Sequence, residues 1–503
     1  MTANRRRFLL PCLALLPALS HAAPPAVPQW GRFETSVTNR TAYADPFRDV
    51  SLAAAFTGPA GRTVTCPGFH DGGTTWKVRF VPDRPGIWRY AVTFSDGSKG
   101  AAGRFRCVRG GIPGLVDTYE ANPTWFGFRG GGAVLVRSFH VGDRFFAGNW
   151  PAARRKAFLD WAGRQGYNML SVASHYLNRD QSGRGRGWDT PDLWPLDPAE
   201  WRRMEAILDD LARRRILVYP FAGLFGQGSD FPTARADQEL YVRTVVARIG
   251  PYWNVLFNVA GPEPLIKARQ FRHAMGPDDV NRLGALIARL DPFEHLLSVH
   301  NASGNDPFRR ERWSNFVTLQ GGKGDDLAKL RAFLAANRTP GKPLYAQEVF
   351  WPGNKYHGRL GDEQIRKKAY VLLLSGATIN YADMAGNSSS GYSGSMDPAD
   401  RVPSRHDAIK KVWDFFEKTG FGTMAPRQDV VTRGTCLAQP GRRYLVYLDE
   451  GGTVDVKVPP GTYAVEWIDA RDTTARRSGG ETRTGRGLAA PDGKDWLLRL
   501  VRK

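Results

Sequence analysis

The sequence predicts a multidomain α/β-plus-β protein: a central TIM (β/α)8 barrel flanked by an N-terminal and a C-terminal β-sandwich. Three observations carry that expectation. Short apolar runs alternate with helical stretches through the middle of the 503-residue chain, and the alternation repeats eight times. On either side the rhythm changes to closely spaced β-rich runs broken by glycine and proline turns. A hydrophobic share of 42% with 24% charged residues suits a globular chain, too polar for a membrane bundle and too apolar for a disordered one.

In chain order, residues 1–23 read as a signal peptide. Arg5, Arg6 and Arg7 precede the apolar run Phe8 to Ser20, and Ser20-His21-Ala22 offers a small-residue cleavage site. That run is shorter than the roughly 20 residues a bilayer-spanning helix needs. The expected destination is secreted or periplasmic, by a Sec or twin-arginine route, with no membrane insertion after signal removal.

Residues 24–112 read as the first β-sandwich, with strands at Val50 to Phe56, Trp76 to Phe80 and Trp88 to Phe94 around turns such as Asp71-Gly72-Gly73. Cys66 and Cys107 fall in this segment and are disulfide candidates in an oxidising compartment. No CxxC or Cys/His cluster accompanies them, which speaks against a structural zinc site; no metal and no cofactor are expected.

Residues 113–424 read as the barrel. Its strands are expected at Val134–Phe139, Asn168–Ala173, Leu217–Phe221, Val255–Val259, Leu296–His300, Phe316–Gln320, Leu344–Gln347 and Thr378–Tyr381. Helices between them include Ala152–Arg164, Pro198–Arg214 and Pro277–Leu290. A doubly wound sheet is the competitor, but it does not need eight regular repeats. Residues 425–503 close the chain as a second β-sandwich, with strands at Tyr444–Leu448, Val454–Val458, Tyr463–Ile468 and Trp496–Val501.

In such a barrel the chemistry sits at the carboxyl ends of the strands. Two glutamates stand there: Glu263, after the fourth strand in Gly261-Pro262-Glu263-Pro264, and Glu348, after Leu344-Tyr345-Ala346-Gln347. Strands four and seven face each other across a ring of eight. Two opposed carboxylates are what glycosidic cleavage requires, one to protonate the leaving oxygen and one to attack or activate water. The competing reading makes both glutamates buried ion-pair partners of the many arginines.

With glutamates in these places, the chain resembles the superfamily of retaining (β/α)8-barrel glycoside hydrolases. The resemblance implies that Glu263 is the acid/base and Glu348 the nucleophile. Trp30-Gly31-Arg32-Phe33-Glu34 and Pro67-Gly68-Phe69-His70-Asp71-Gly72 look like the β-domain that often precedes such barrels. Gly461-Thr462-Tyr463, Trp467-Ile468-Asp469 and Asp495-Trp496 look like the C-terminal domain, named for collagen binding, that follows apiosidase-like barrels. The superfamily's asparagine before the strand-four glutamate is here Pro262, which has no N–H to donate, so the sugar's identity is left open.

Other strand ends carry residues suited to a sugar: His140, His175, Tyr176, His300, Asn301, Gln320 and Tyr381 for hydroxyls, and Trp351 for stacking. The expected partner is a polysaccharide or oligosaccharide. The formal net charge of +21 hints at acidic glycans, although an arginine-rich bias spread over a large surface is the favoured account of it. No concentrated basic stripe points to nucleic acid. A non-catalytic carbohydrate-binding or adhesion protein with a decayed barrel is the alternative. A metal hydrolase is a further one, disfavoured because no His-x-His pair is present.

Overall fold

The structure is a computed structural model that describes residues 24–141, 145–146, 150–172, 196–220, 232, 234–260, 276–300, 304–321, 323–352, 360–382, 398 and 401–503. The expected signal peptide lies outside them.

The N-terminal residues form a seven-stranded sheet whose strands are Ala26–Pro28, Phe33–Thr38, Leu52–Thr57, Thr63–His70, Thr75–Phe80, Gly86–Phe94 and Ala101–Val108. Their spatial order is first, seventh, sixth, third, fourth, fifth, second, with only the first pair parallel. Strict alternation of buried and half-buried residues along Leu52–Thr57 sends Leu52, Ala54 and Phe56 inward. There Phe56 stacks on Phe80 at 4.3 Å and Phe33 on Phe105 at 4.1 Å.

The disulfide expectation is corrected here. Cys66 and Cys107 are buried free thiols, and two strands separate theirs. Cys107 lies opposite Gly86, whereas Cys66 aligns through Ala54 with Val92, six residues further along. At about 3.3 Å per residue, that offset alone is roughly three times the Cα separation a disulfide spans. Burial pushes both thiols up, that of Cys107 to about 11.

Eight parallel strands follow: β1 (Arg137–His140), β2 (Met169–Val172), β3 (Leu217–Pro220), β4 (Phe257–Asn258), β5 (Leu297–Ser298), β6 (Val317–Gln320), β7 (Leu344–Phe350) and β8 (Ala377–Tyr381). Val134, expected to open the first of them, instead pairs antiparallel with Phe126 in a small three-stranded sheet. Seven helices are described: α1 (Ala152–Arg164), α2 (Pro198–Arg213), α3 (Arg235–Ile249), α4 (Pro277–Leu290), α5 (Leu327–Asn337), α6 (Asp362–Leu374) and α7 (Pro403–Glu417). Helix α2 shows why they form where they do. Asp197 caps its first turn by accepting the Ala199 N–H at 2.9 Å, Pro198 fills the first helical position, and Trp201, Met204, Leu208 and Leu211 recur at helical spacing on the buried side.

Strands β3-β2-β1-β8-β7-β6 make one sheet in that order, and β4 and β5 make a separate ladder. Backbone bonds tie the ladder to both ends of the sheet. The Leu256 N–H donates to the Val218 carbonyl at 2.9 Å, and the Asn315 N–H to the Leu297 carbonyl at 2.7 Å. The sheet curls until its edge strands touch: the hydroxyls of Tyr219 on β3 and Thr318 on β6 are 3.2 Å apart.

The last sheet is antiparallel throughout, with strands Ala425–Pro426, Thr435–Gln439, Arg443–Leu448, Trp496–Arg502, Tyr463–Asp469 and Arg476–Thr482 in spatial order. Among the described residues no helix is long and apolar enough to cross a membrane.

Candidate active site

Alternation along the parallel strands sorts their residues into two separate packed groups. Phe139, Leu170, Val218, Phe257, Val317 and Ala346 join the helices. Met169, Leu217, Tyr219, Leu256, Phe316 and Tyr345 point the opposite way and pack toward the N-terminal sheet. On that second side, moving toward the carboxyl ends, the side chains become polar. Ser138 on β1 is 2.8 Å from the Tyr345 hydroxyl and donates to Asn380 Oδ1 at 2.8 Å. Ser298 and Thr318 hydroxyls meet at 2.8 Å. Burial pushes the Tyr219 and Tyr345 phenols well above their ordinary range, against the opposing pull of hydrogen bonds from Thr318 and Ser138, so both serve as neutral donors and acceptors.

Above this layer lies a second one containing His140, Gln347, Glu348 and His300, all buried. Ser171 on β2 donates to Gln347 Oε1 at 2.9 Å, and Gln347 Nε2 and Asn380 Nδ2 each lie 3.5 Å from His140 Nδ1. Glu348 Oε1 is 3.7 Å from His300 Nε2. The His300 N–H is itself bonded to Asn258 Oδ1 and to the Ala260 carbonyl, both at 3.0 Å, which fixes the backbone that carries the ring.

Strict alternation would send either Gln347 or Glu348 back toward the helices. Strand β7 avoids this through register shifts against both neighbours, between Leu319 and Gln320 on one side and between Ala346 and Phe350 on the other. Such an irregularity re-aims side chains. Gln347 can then bond to β2 while the adjacent Glu348 meets the imidazole at the end of β5. Glu348 was expected just after the strand; it lies within it, since β7 runs on to Phe350. The carboxylate keeps only 4% exposure.

The remaining expectations divide. His140, His300, Gln320 and Trp351 are brought together with Glu348: Gln320 stands opposite it in the β6–β7 register, and the Trp351 ring lies 4.6 Å from that of His140. Trp351 is buried against the histidine at 2% exposure, so its face is occupied by the protein in this form. Tyr381 is elsewhere. It packs edge-on against Phe350 and His406 on the helix side, because its place in β8 alternates with that of Asn380. Glu263, His175, Tyr176 and Asn301 lie outside the described residues. Sequence reasoning missed Ser171, Gln347 and Asn380. The available signal was parity, since Asn380 pairs in register with Ser138 and so shares its face.

Comparisons with known proteins agree with this architecture. The family model described as apiosidase-like, catalytic domain, matches residues 143–381, and a model of a domain of unknown function, DUF5060, matches residues 26–95. No protein of curated function matches the chain. A crystal structure of a candidate glycoside hydrolase from Bacteroides vulgatus ATCC 8482 superposes with a TM-score of 0.73 at 20% identity, covering 95% of this chain and 100% of its own. That likeness is one of fold. A candidate α-galactosidase/melibiase from Bacteroides fragilis NCTC 9343 aligns over 95% of this chain and 97% of its own at 11% identity, with a TM-score of 0.44, too low to carry an argument.

Proposed function

We infer that the chain is an exported glycoside hydrolase acting on a plant or microbial polysaccharide or oligosaccharide by a retaining double displacement. The carrying observation is Glu348: a carboxylate buried in the carboxyl-terminal half of a parallel strand, 3.7 Å from His300 and surrounded by polar side chains from other strands. A buried carboxylate is costly unless it is held or used. The apiosidase-like match spanning these strands favours use. The two-sided sorting of residues, the contact between the sheet edges and the ladder bonded to both ends support a closed (β/α)8 barrel at about 113–424, between β-sandwiches at 24–112 and 425–503. The last of these is read as the domain type named for collagen binding.

In the first step a Glu348 oxygen attacks the anomeric carbon while Glu263 gives its proton to the departing glycosidic oxygen. The C–O bond to the leaving sugar breaks and an ester to Glu348 forms. In the second step Glu263 takes a proton from water, whose oxygen displaces Glu348 and restores it. His300 orients the Glu348 carboxylate, and the Ser171–Gln347–His140 chain holds the rim beside it.

The test is a panel of aryl glycosides and polysaccharides run with the mature chain, with Glu348→Gln and with Glu263→Gln. Each substitution should lower kcat by at least about a thousandfold, and NMR of the first product should show retained anomeric configuration. Activity that survives both substitutions would sink the assignment. Sugar binding without turnover by the parent chain would move the reading to a carbohydrate-binding protein.

A further inference from the structure

A second feature lies away from the parallel-strand rim, between α7 and the barrel-facing side of the C-terminal sheet. It is a cleft of about 950 Å³, within the range of sites that enclose small ligands. The strands explain its chemistry. Outward residues of neighbouring strands meet in rows, Arg443–Val501–Ala464 and Leu445–Arg499–Glu466, while the alternate residues Tyr444, Val446, Leu498 and Leu500 form the sheet's own core. Near Tyr447 this side is covered, its ring 5.0 Å from that of Tyr370 on α6. Toward Arg443 and Val501 it opens.

The walls carry eight lysines and arginines against two carboxylates. Both carboxylates are already engaged, Asp414 by Arg137 and Lys410, and Glu466 by Arg476 and Arg499. Lys418, Arg442, Arg443 and Arg502 form no ion pair among the described residues, and all but the half-buried Arg443 are exposed. The floor is apolar, with Phe415, Met424 and Leu445, and Val501 on the wall is 41% exposed. Arginine forks match carboxylates two bonds at a time, and an apolar floor suits the C–H faces of sugar rings.

We propose that this cleft is a binding site for a carboxylate-bearing glycan, a chain with uronic acid units, separate from the site of cleavage. The choice of a glycan among anionic polymers rests on the glycoside hydrolase reading; the preference for anions rests on the cleft's charge alone. Glu466, held by its two arginines, accepts a bond from a sugar hydroxyl. The arginines without an ion pair take the carboxylates; among the described residues the Arg443 and Arg502 guanidinium groups otherwise donate only to the Thr419 and Pro460 carbonyls.

The test is affinity electrophoresis of the mature chain through polygalacturonate, through its fully methyl-esterified form and against a single-stranded oligonucleotide of equal charge. Polygalacturonate should retard the parent chain. Retardation should weaken roughly tenfold in Arg442→Glu/Arg502→Glu and fade as salt rises toward about 0.5 M, and the esterified chain should not retard it. Both arginines are exposed, and an unchanged Tm confirms that the variant folds. Glu348→Gln should bind as the parent does, so binding can succeed even where no glycosidase activity is found. No retardation, equal retardation of the double variant, or an oligonucleotide bound at least as tightly would overturn the proposal.

Discussion

Where the N-terminal sheet meets α2 and α3, the charges of Asp71, Arg79, Glu205 and Arg248 are buried and satisfy one another, with the exposed Glu34 at their edge; where the C-terminal sheet meets α6 and α7, one part of the contact is apolar and the charges beside it stand open. At the first junction Arg79 donates to Glu34 at 2.7 Å, to Glu205 at 2.9 Å and to the Arg248 carbonyl at 2.8 Å. Arg248 donates to Glu205 at 2.7 Å and to Asp71 at 2.9 Å. Both guanidinium groups lie over the Phe69 ring, at 4.8 and 4.2 Å. At the second junction Arg366 forks onto Asp495 at 2.9 and 3.1 Å, and Tyr447 donates to the same carboxylate at 3.2 Å. Beyond that pair the sheet diverges into the basic cleft. The difference teaches that cations at an internal boundary serve two ends. Those matched by carboxylates fix one sheet to its neighbour, and those left over are available to something from outside.

The sharpest way to break this contrast is to remove Glu205, the residue both buried arginines share. Glu205→Ala takes one carboxylate from each of two buried guanidinium groups, leaving Arg79 to Glu34 and Arg248 to Asp71. Breaking a buried ionic network from one side costs about 3–5 kcal/mol, which for a chain of this size lowers Tm by roughly 3–5 °C. Calorimetry of the mature chain measures it. A loss below about 1 kcal/mol would mean that water reaches the junction and that the two boundaries do not differ in kind.

The same contrast marks the limit of what the sequence discloses. Periodicity makes the parallel strands and the helices legible, and α1 and α4 match their expected bounds, because the alternation of apolar residues is a local property. Pairing between distant residues is not local. Asp71 stands out only as part of a turn, yet its partners Arg202 and Arg248 lie 131 and 177 residues away. The basic cleft escaped notice for the same reason: its cations come from α7 and from three strands, and no single stretch of chain is a basic stripe. At the candidate site Glu348 was visible from residue type and position, whereas Ser171 and Gln347 became visible only once the irregularity in β7 had turned them to one side. The idea that glutamates here serve as arginine partners describes Glu205, which the sequence reading never singled out.

A smaller effect is expected at the C-terminal junction. Asp495→Asn keeps the shape and the acceptor for Tyr447 but removes the charge that Arg366 grips. Because Arg366 retains 18% side-chain exposure, water replaces part of the lost bond, and the cost should be about 1.5–3 kcal/mol, that of a charge-assisted hydrogen bond. Urea unfolding followed by tryptophan fluorescence provides the measurement. A cost equal to that of Glu205→Ala would erase the distinction between the two junctions.

The finest discrimination comes from acid. Burial would raise the Asp71 carboxyl, but hydrogen bonds from Lys77 and Arg248 together with their charges outweigh it and hold the group below the ordinary aspartate range. Glu34, bound by Arg79 and Lys77, is likewise held low against its own burial. A group whose folded pKa is depressed contributes stability that is complete above its unfolded value and is lost as pH falls through the folded one. For these two carboxylates the loss therefore begins near pH 4 and continues below it. Acid should loosen the N-terminal junction in that window, and Asp71→Asn should flatten the fall in Tm between pH 4.5 and about 2.5. It should do so while leaving the cleft's affinity for polygalacturonate at neutral pH untouched, since no residue near Asp71 lines it. An acid limb as steep in Asp71→Asn as in the parent would show that other carboxylates carry the linkage, and the junction would then be held by its arginines and by Glu205 alone.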